Sequence, residues 1–145
     1  MSSGGGPSSV PLAFRRPLGG VNYIPLEQCH VGYGVNDITT PQKIWHKKEK
    51  RFMTFREIIK TGAGKFLSTY QFEELGIEPV KNTPEEIVDV AIEIDERLKG
   101  NWITTKEDEE LQKKFWDIIP ESNIVGKEKG IIGAQFLRQN KELLN

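Results

Sequence analysis

"IEPVKNTPEEIVDVAIEIDERLKG" occupies residues 77–100. Two kinds of backbone meet in it. Residues 77–80 are short and apolar, a strand candidate. The remainder has a marked start and stop. Thr83 stands at the cap, Pro84 takes the first helical position, and Glu86 completes a capping box in which each side chain satisfies a backbone N–H. Ile87, Ala91, Ile94 and Leu98 recur at helical spacing and predict one buried face, and Gly100 supplies the left-handed stop. The acids Glu85, Glu86, Asp89, Glu93 and Asp95 are expected mostly on the solvent side, with Glu85 and Glu86 favouring the positive end of the helix dipole.

The same logic extends in both directions. Downstream, "TTKEDEELQKKFWDIIP" (104–120) is a second amphipathic helix, with Leu111, Phe115 and Ile118 inward. Pro120 and "ESNIVGKEKG" break it. "IIGAQFLRQNKELLN" (131–145) is expected as a last helix, with Ile132, Phe136 and Leu143 inward. Upstream, "TFREIIKTG" (54–62) pairs Thr54 with Glu57 at capping-box spacing, and "STYQFEELG" (68–76) runs from a Ser68 cap to a Gly76 stop. "TPQKIWHKKEKRF" (40–52) is open between strand and helix, and residues 26–40 show no period and read as loop. "PLGGVNYIP" (17–25) is a buried strand between prolines, preceded by about two helical turns in "VPLAFRR" (10–16).

Short strands alternating with helices predict an α/β layer with a small, mainly parallel sheet of two to four strands, richer in helix than strand. So thin a sheet leaves the strand at 18–24 short of neighbours, which predicts a homodimer or a sheet completed by the N-terminal segment.

Length and composition agree with one domain. The 145 residues are 37% hydrophobic and 28% charged. A net charge of −1 and a pI near 6.2 exclude a general nucleic-acid binder, which carries a strong basic excess. Cys29 is the only cysteine, so neither an internal disulfide nor a cysteine-based zinc site can form. No apolar run is long enough to span a bilayer and no signal-peptide pattern opens the chain, so the expected location is cytoplasmic.

The opening "SSGGGPSSVP" (2–11) admits two accounts. Gly/Ser composition is the signature of a flexible tail. The same residues before a helix offer free N–H groups, short hydroxyls and no Cβ in the way of a diphosphate. The basic run "HKKEKR" (46–51) is either a solvated face or a source of charge for an anion, with Arg51 best suited by its two-pronged fork. Asn22, an amide within an apolar strand, is either a satisfied structural residue or a hydroxyl contact. His30 and His46 lack an identifiable carboxylate orienter, and His30 lies in the loop after the strand, where α/β proteins place their sites.

Several stretches together resemble a family of bacterial glycosyltransferases found in surface-polysaccharide gene clusters. They are "SSGGGPSSVPLAFRRP", "VNYIPL", "KIWHKKEKRFMTFREI", "GAGKFL", "NTPEEI" and "IGAQFLRQNKELL", and they match in order and spacing over nearly the whole chain. The resemblance implies the GT-B architecture, two Rossmann-like halves with the active site between them. This sequence would correspond to the last part of the donor-binding half. Residues 1–145 then form one truncated domain, with a Gly/Ser loop (1–9), an α/β part (10–100) and C-terminal helices (101–145).

The resemblance further implies a nucleotide-sugar donor or nucleoside diphosphate as ligand. Its phosphates would lie on Ser3, Gly4, Gly5, Gly6, Ser8 and Ser9, with Asn22, His30, Lys47 and Arg51 as further contacts. It implies no metal and no cofactor, and no catalytic residue is assigned, since the acceptor-binding half is not in this sequence. The alternative is a non-enzymatic truncated module that binds a nucleotide, a sugar phosphate or a protein partner.

Overall fold

A computed structural model describes residues 9–29, 36–120 and 130–145. Within them, six helices and six strands are arranged as a mixed α/β fold, about half helical. Helix α1 (Ser9–Ala13) leads into β1 (Gly19–Tyr23), then a 3-10 turn at Leu26–Gln28 and β2 (Ile38–Pro41). After the single residue Gln42 come β3 (Lys43–His46), β4 (Arg51–Phe52), α2 (Phe55–Lys60), a 3-10 turn at Ala63–Lys65 and α3 (Thr69–Glu74). The chain continues with β5 (Ile77–Val80), α4 (Pro84–Leu98), α5 (Lys106–Ile118), β6 (Ile131–Ile132), α6 (Ala134–Gln139) and a 3-10 turn at Lys141–Leu144.

The strands form two three-stranded sheets. One is parallel, in the order β1-β2-β6; the other is antiparallel, in the order β4-β3-β5. The expected small parallel sheet is therefore accompanied by an antiparallel one, built from the stretch left open between strand and helix. "KIWHKKEKRF" is a hairpin, with Trp45 opposite Phe52 and His46 opposite Arg51. The two rings meet edge to face at 5.1 Å, a geometry that favours the ring quadrupoles.

Three local expectations are corrected. β2 lies within the stretch read as loop: Ile38–Pro41 is buried along its whole length between β1 and β6. The last segment is not one helix, because Ile131 and Ile132 first pair with Ile38 and Thr39. Ile132, Phe136 and Leu143 are nonetheless buried. The third concerns α4. The residues it buries are Glu86, Val90 and Glu93, with Ile87 and Ile94 packed at the margin; Ala91 and Leu98 are exposed. The physical reason is that both inward carboxylates find partners, Lys43 for Glu86 and Arg97 for Glu93.

Capping boxes define the helix starts. Thr54 with Glu57, Thr83 with Glu86, and Thr105 with Asp108 each exchange side-chain and backbone bonds. Gly62 at φ 81 and Gly100 at φ 73 end α2 and α4 in the left-handed region that glycine tolerates without a Cβ clash.

The parallel sheet is covered on both faces. Val21, Ile38 and Ile131 pack on α4 through Val90, Ile87 and Ile94. On the other face Ile132 joins the main core of Ile44, Phe55, Ile58, Ile77, Phe115 and Phe136. Since Ile44 and Ile77 belong to the antiparallel sheet, the two sheets share that core. The outer edge of β6 is closed by a side chain: Gln112 on α5 donates to the Ile132 carbonyl and accepts the Ile132 N–H. β1 has no further strand beside it among the described residues. Among those residues, no helix is long and apolar enough to cross a membrane.

Candidate functional site

In a parallel sheet with helices packed on it, ligands lie beyond the C-terminal ends of the strands. Here those ends are Tyr23, Pro41 and Ile132, and a polar cluster ties the first two together. Asn22 holds φ 54 at a register shift between β1 and β2. Its N–H donates to Asn82 Oδ1 at 2.6 Å, and its own Oδ1 accepts the Asn82 N–H at 2.6 Å. Asn82 Nδ2 donates to the Pro41 carbonyl at 2.9 Å, and Gln42 Nε2 donates to the Asn22 carbonyl at 3.1 Å. Glu86 extends the cluster, pairing with Lys43 Nζ at 2.7 Å while capping the N–H of Thr83 at 2.9 Å. Asn22, a candidate hydroxyl contact from sequence, thus has its amide oxygen committed to Asn82.

At the third strand end, Gly133 separates β6 from α6. A Cβ there would stand 3.0 Å from Thr40 Oγ1, a buried hydroxyl without a described partner. Glu93 Oε2 accepts the Ala134 N–H at 2.8 Å, and Arg97 donates to Glu93 Oε1 through both Nε and a terminal nitrogen at 3.0 and 2.8 Å. Glu86 and Glu93, 4% and 2% exposed, are therefore buried rather than on the solvent side. Desolvating a carboxylate is tolerable when both oxygens are hydrogen-bonded.

The loop after β1 passes a cis Ile24–Pro25 bond into the 3-10 turn that carries Glu27, 3% exposed. Lys65 Nζ lies 3.8 Å from its carboxylate. Cys29, two residues on, is fully buried, and desolvation pushes its thiol far above the ordinary range, so it is not a thiolate nucleophile.

Of the basic run, Arg51 and Lys47 sit on the β3–β4 hairpin. Arg51 grips Glu57 with both prongs, at 2.8 and 2.7 Å, and also reaches Glu49 at 2.5 Å. Lys47 Nζ is 3.3 Å from Glu78. The bond from Arg51, helped by the Thr54 N–H, lowers the Glu57 carboxyl to about 2. These pairs are largely exposed, where an ion pair contributes only ~0–1 kcal/mol and exchanges partners readily. His46 Nδ1 accepts the Glu49 N–H at 3.3 Å, so it belongs to the hairpin turn.

Ser9 opens α1. Ser3, Gly4, Gly5, Gly6, Ser8 and His30 lie outside the described residues. The structure brings Lys47 and Arg51 onto one hairpin and sets Asn22 at the end of β1. Sequence reasoning does not single out Asn82, Glu27 or Glu93 as site residues, although Asn82 directly precedes a capping box. Among the described residues no group of three or more His, Cys, Asp or Glu could hold a metal ion.

Comparison of the chain with protein-family models, with curated proteins and with solved structures finds no match in any of the three.

Proposed function

We propose that this chain is the nucleotide-sugar donor-binding part of a glycosyltransferase, and that sugar transfer requires an acceptor-binding half. The observation that carries this is an order of elements. The Gly/Ser stretch runs directly into α1, and α1 into β1 of a parallel sheet with helices on it. A diphosphate donor suits that order, since backbone N–H groups and hydroxyls ahead of a helix bind anions. Arg51 and Lys47, on exposed and exchangeable carboxylate pairs, would add charge to stabilise the departing nucleoside diphosphate.

Titration of UDP and of GDP followed by amide NMR tests this. The expected result is shifts confined to residues 3–16 and 46–51, with affinity near millimolar, about −4 kcal/mol. Absence of shifts at several millimolar nucleotide would overturn it. A second reading, a non-enzymatic binding module, draws on the filled fork of Arg51: if Glu57 keeps that fork, Arg51→Gln leaves nucleotide binding unchanged.

A further inference from the structure

The antiparallel sheet turns one face into the core, where Ile44 and Ile77 lie. Strand side chains alternate, and residues directly opposite one another share a face. The outer face therefore carries Lys43 and Trp45, with Phe52 across from Trp45 on β4 and Glu78 across from it on β5. Lys47, one residue past β3, stays on that face, since its Nζ meets Glu78 at 3.3 Å. Trp45 is half-buried and stands outside both apolar clusters of the described core. Phe52 does pack on the core, so the edge-to-face contact between the two rings gives Trp45 a fixed buttress. Such a pair covers at most one face of each ring, which leaves Trp45 a face clear of Phe52.

The cover over this surface fades along β3. At one end Lys43 reaches Glu86 at the start of α4, and its side chain is 12% exposed. At the other end the side chains of Lys47 and Glu78 are 49% and 50% exposed. Trp45 thus stands between a walled end and an open one. The wall belongs to the cluster of Asn82 and Glu86 at the strand ends, so the surface adjoins the crevice where a parallel sheet places its ligand.

On the donor-binding reading, on which this rests, we propose that Trp45 is the stacking residue for the donor's nucleobase, with the phosphates directed to the β3–β4 turn. The charge pattern selects a ring that carries anions over a neutral one. The turn holds Lys47, Lys48 and Lys50 against the single acid Glu49, and Arg51 takes that acid. Among the described residues Lys48 and Lys50 have no carboxylate partner, while Lys47 holds Glu78 in an exposed pair that exchanges readily. Every nucleobase offers a π-face to an aromatic side chain, and a fused purine overlaps an indole more than a pyrimidine does.

Titration of GDP, UDP and inorganic pyrophosphate, followed at the Trp45 indole N–H by NMR, tests the proposal. That signal is expected to shift with both nucleotides, at lower concentration with GDP, and to stay in place with pyrophosphate. Trp45→Leu, which keeps an apolar contact for Phe52, is expected to weaken both nucleotides about fivefold or more. It should also erase the difference between them and leave pyrophosphate binding unchanged, and Trp45→Phe should regain most of the loss. Amide shifts at 46–51 with a motionless Trp45 signal overturn this assignment and leave the donor reading standing. No shift anywhere overturns both. A Leu variant that weakens pyrophosphate as much as GDP overturns the assignment, because the loss is then general. So does a neutral oligosaccharide that moves the Trp45 signal where GDP does not, the mark of a glycan platform.

Discussion

Asn22 and Asn82 each hold the other's backbone: the amide oxygen of one accepts the N–H of the other, both at 2.6 Å. This clasp joins the end of β1 to the residue before the α4 cap, and through the Pro41 carbonyl it also holds β2.

Replacing Asn82, 6% exposed, by Ala removes the acceptor for Asn22 N–H and the donor to Pro41. The expected loss is about 2–4 kcal/mol, because buried backbone groups are left unmatched. Asn22→Gly keeps the positive φ while losing the acceptor for Asn82 N–H, so it should cost less, about 1–2 kcal/mol. Urea denaturation of both variants measures the difference.

Glu57 provides a pH dependence of known sign. Its folded pKa is depressed, to about 2, by Arg51 first and the Thr54 N–H second. Its contribution is therefore fully present above the ordinary carboxylate range and fades as pH falls toward 2. Arg51→Gln should bring the Glu57 pKa, read by NMR, back up toward ordinary values and flatten the acid limb of stability. The change in stability itself is expected to be small, because the pair is exposed.

Gly64 leaves room for a buried carboxylate. A Cβ there would sit 2.9 Å from Glu27 Oε1 and 2.9 Å from Ile59 Cδ1. Gly64→Ala is expected to destabilise by about 1–3 kcal/mol. Ile59→Val in the same chain should recover part of that loss, a coupling a double-mutant cycle would read directly.

Glu93 balances two partners in a nearly dry place. Glu93→Gln keeps an acceptor for the Ala134 N–H and gives up the charge opposite Arg97, for about 1–2 kcal/mol. Glu93→Leu leaves both unmatched and should cost about 3–5 kcal/mol. Arg97 also stacks on Trp102, 5.2 Å from its ring centroid, so Trp fluorescence should report the loss of order together with the denaturation midpoint.

The elements legible in the sequence are those whose start, period and stop are local. α2 follows from Thr54/Glu57, α5 from the apolar period of Leu111, Phe115 and Ile118, and the limits of α4 from Thr83, Pro84 and Gly100. The inner face of α4 was not legible, because Glu93 becomes tolerable inside only through an N–H 41 residues away. The same holds for Asn22, whose partner is 60 residues distant. β2 hid behind Thr39 and Thr40, polar in a linear reading yet buried between two strands. β4 and β6 are two residues each, too short to show a period, and β6 exists only through its pairing with distant β2. Of the candidate site, the cationic hairpin was visible as composition, while the carboxylates that grip it required the fold.

The two sheets differ in how far the chain must travel to make them. β3 meets β4 across a four-residue turn and β5 after two short helices, whereas β2 must wait for Ile131 and Ile132, near the other end of the described chain. Loop closure over such a distance is entropically slow, and contacts of that separation form late. The antiparallel sheet should therefore stand first and serve as a template. With only Gln42 between β3 and β2, it delivers β2 already aligned, so the search left for β6 is for a groove that is half built.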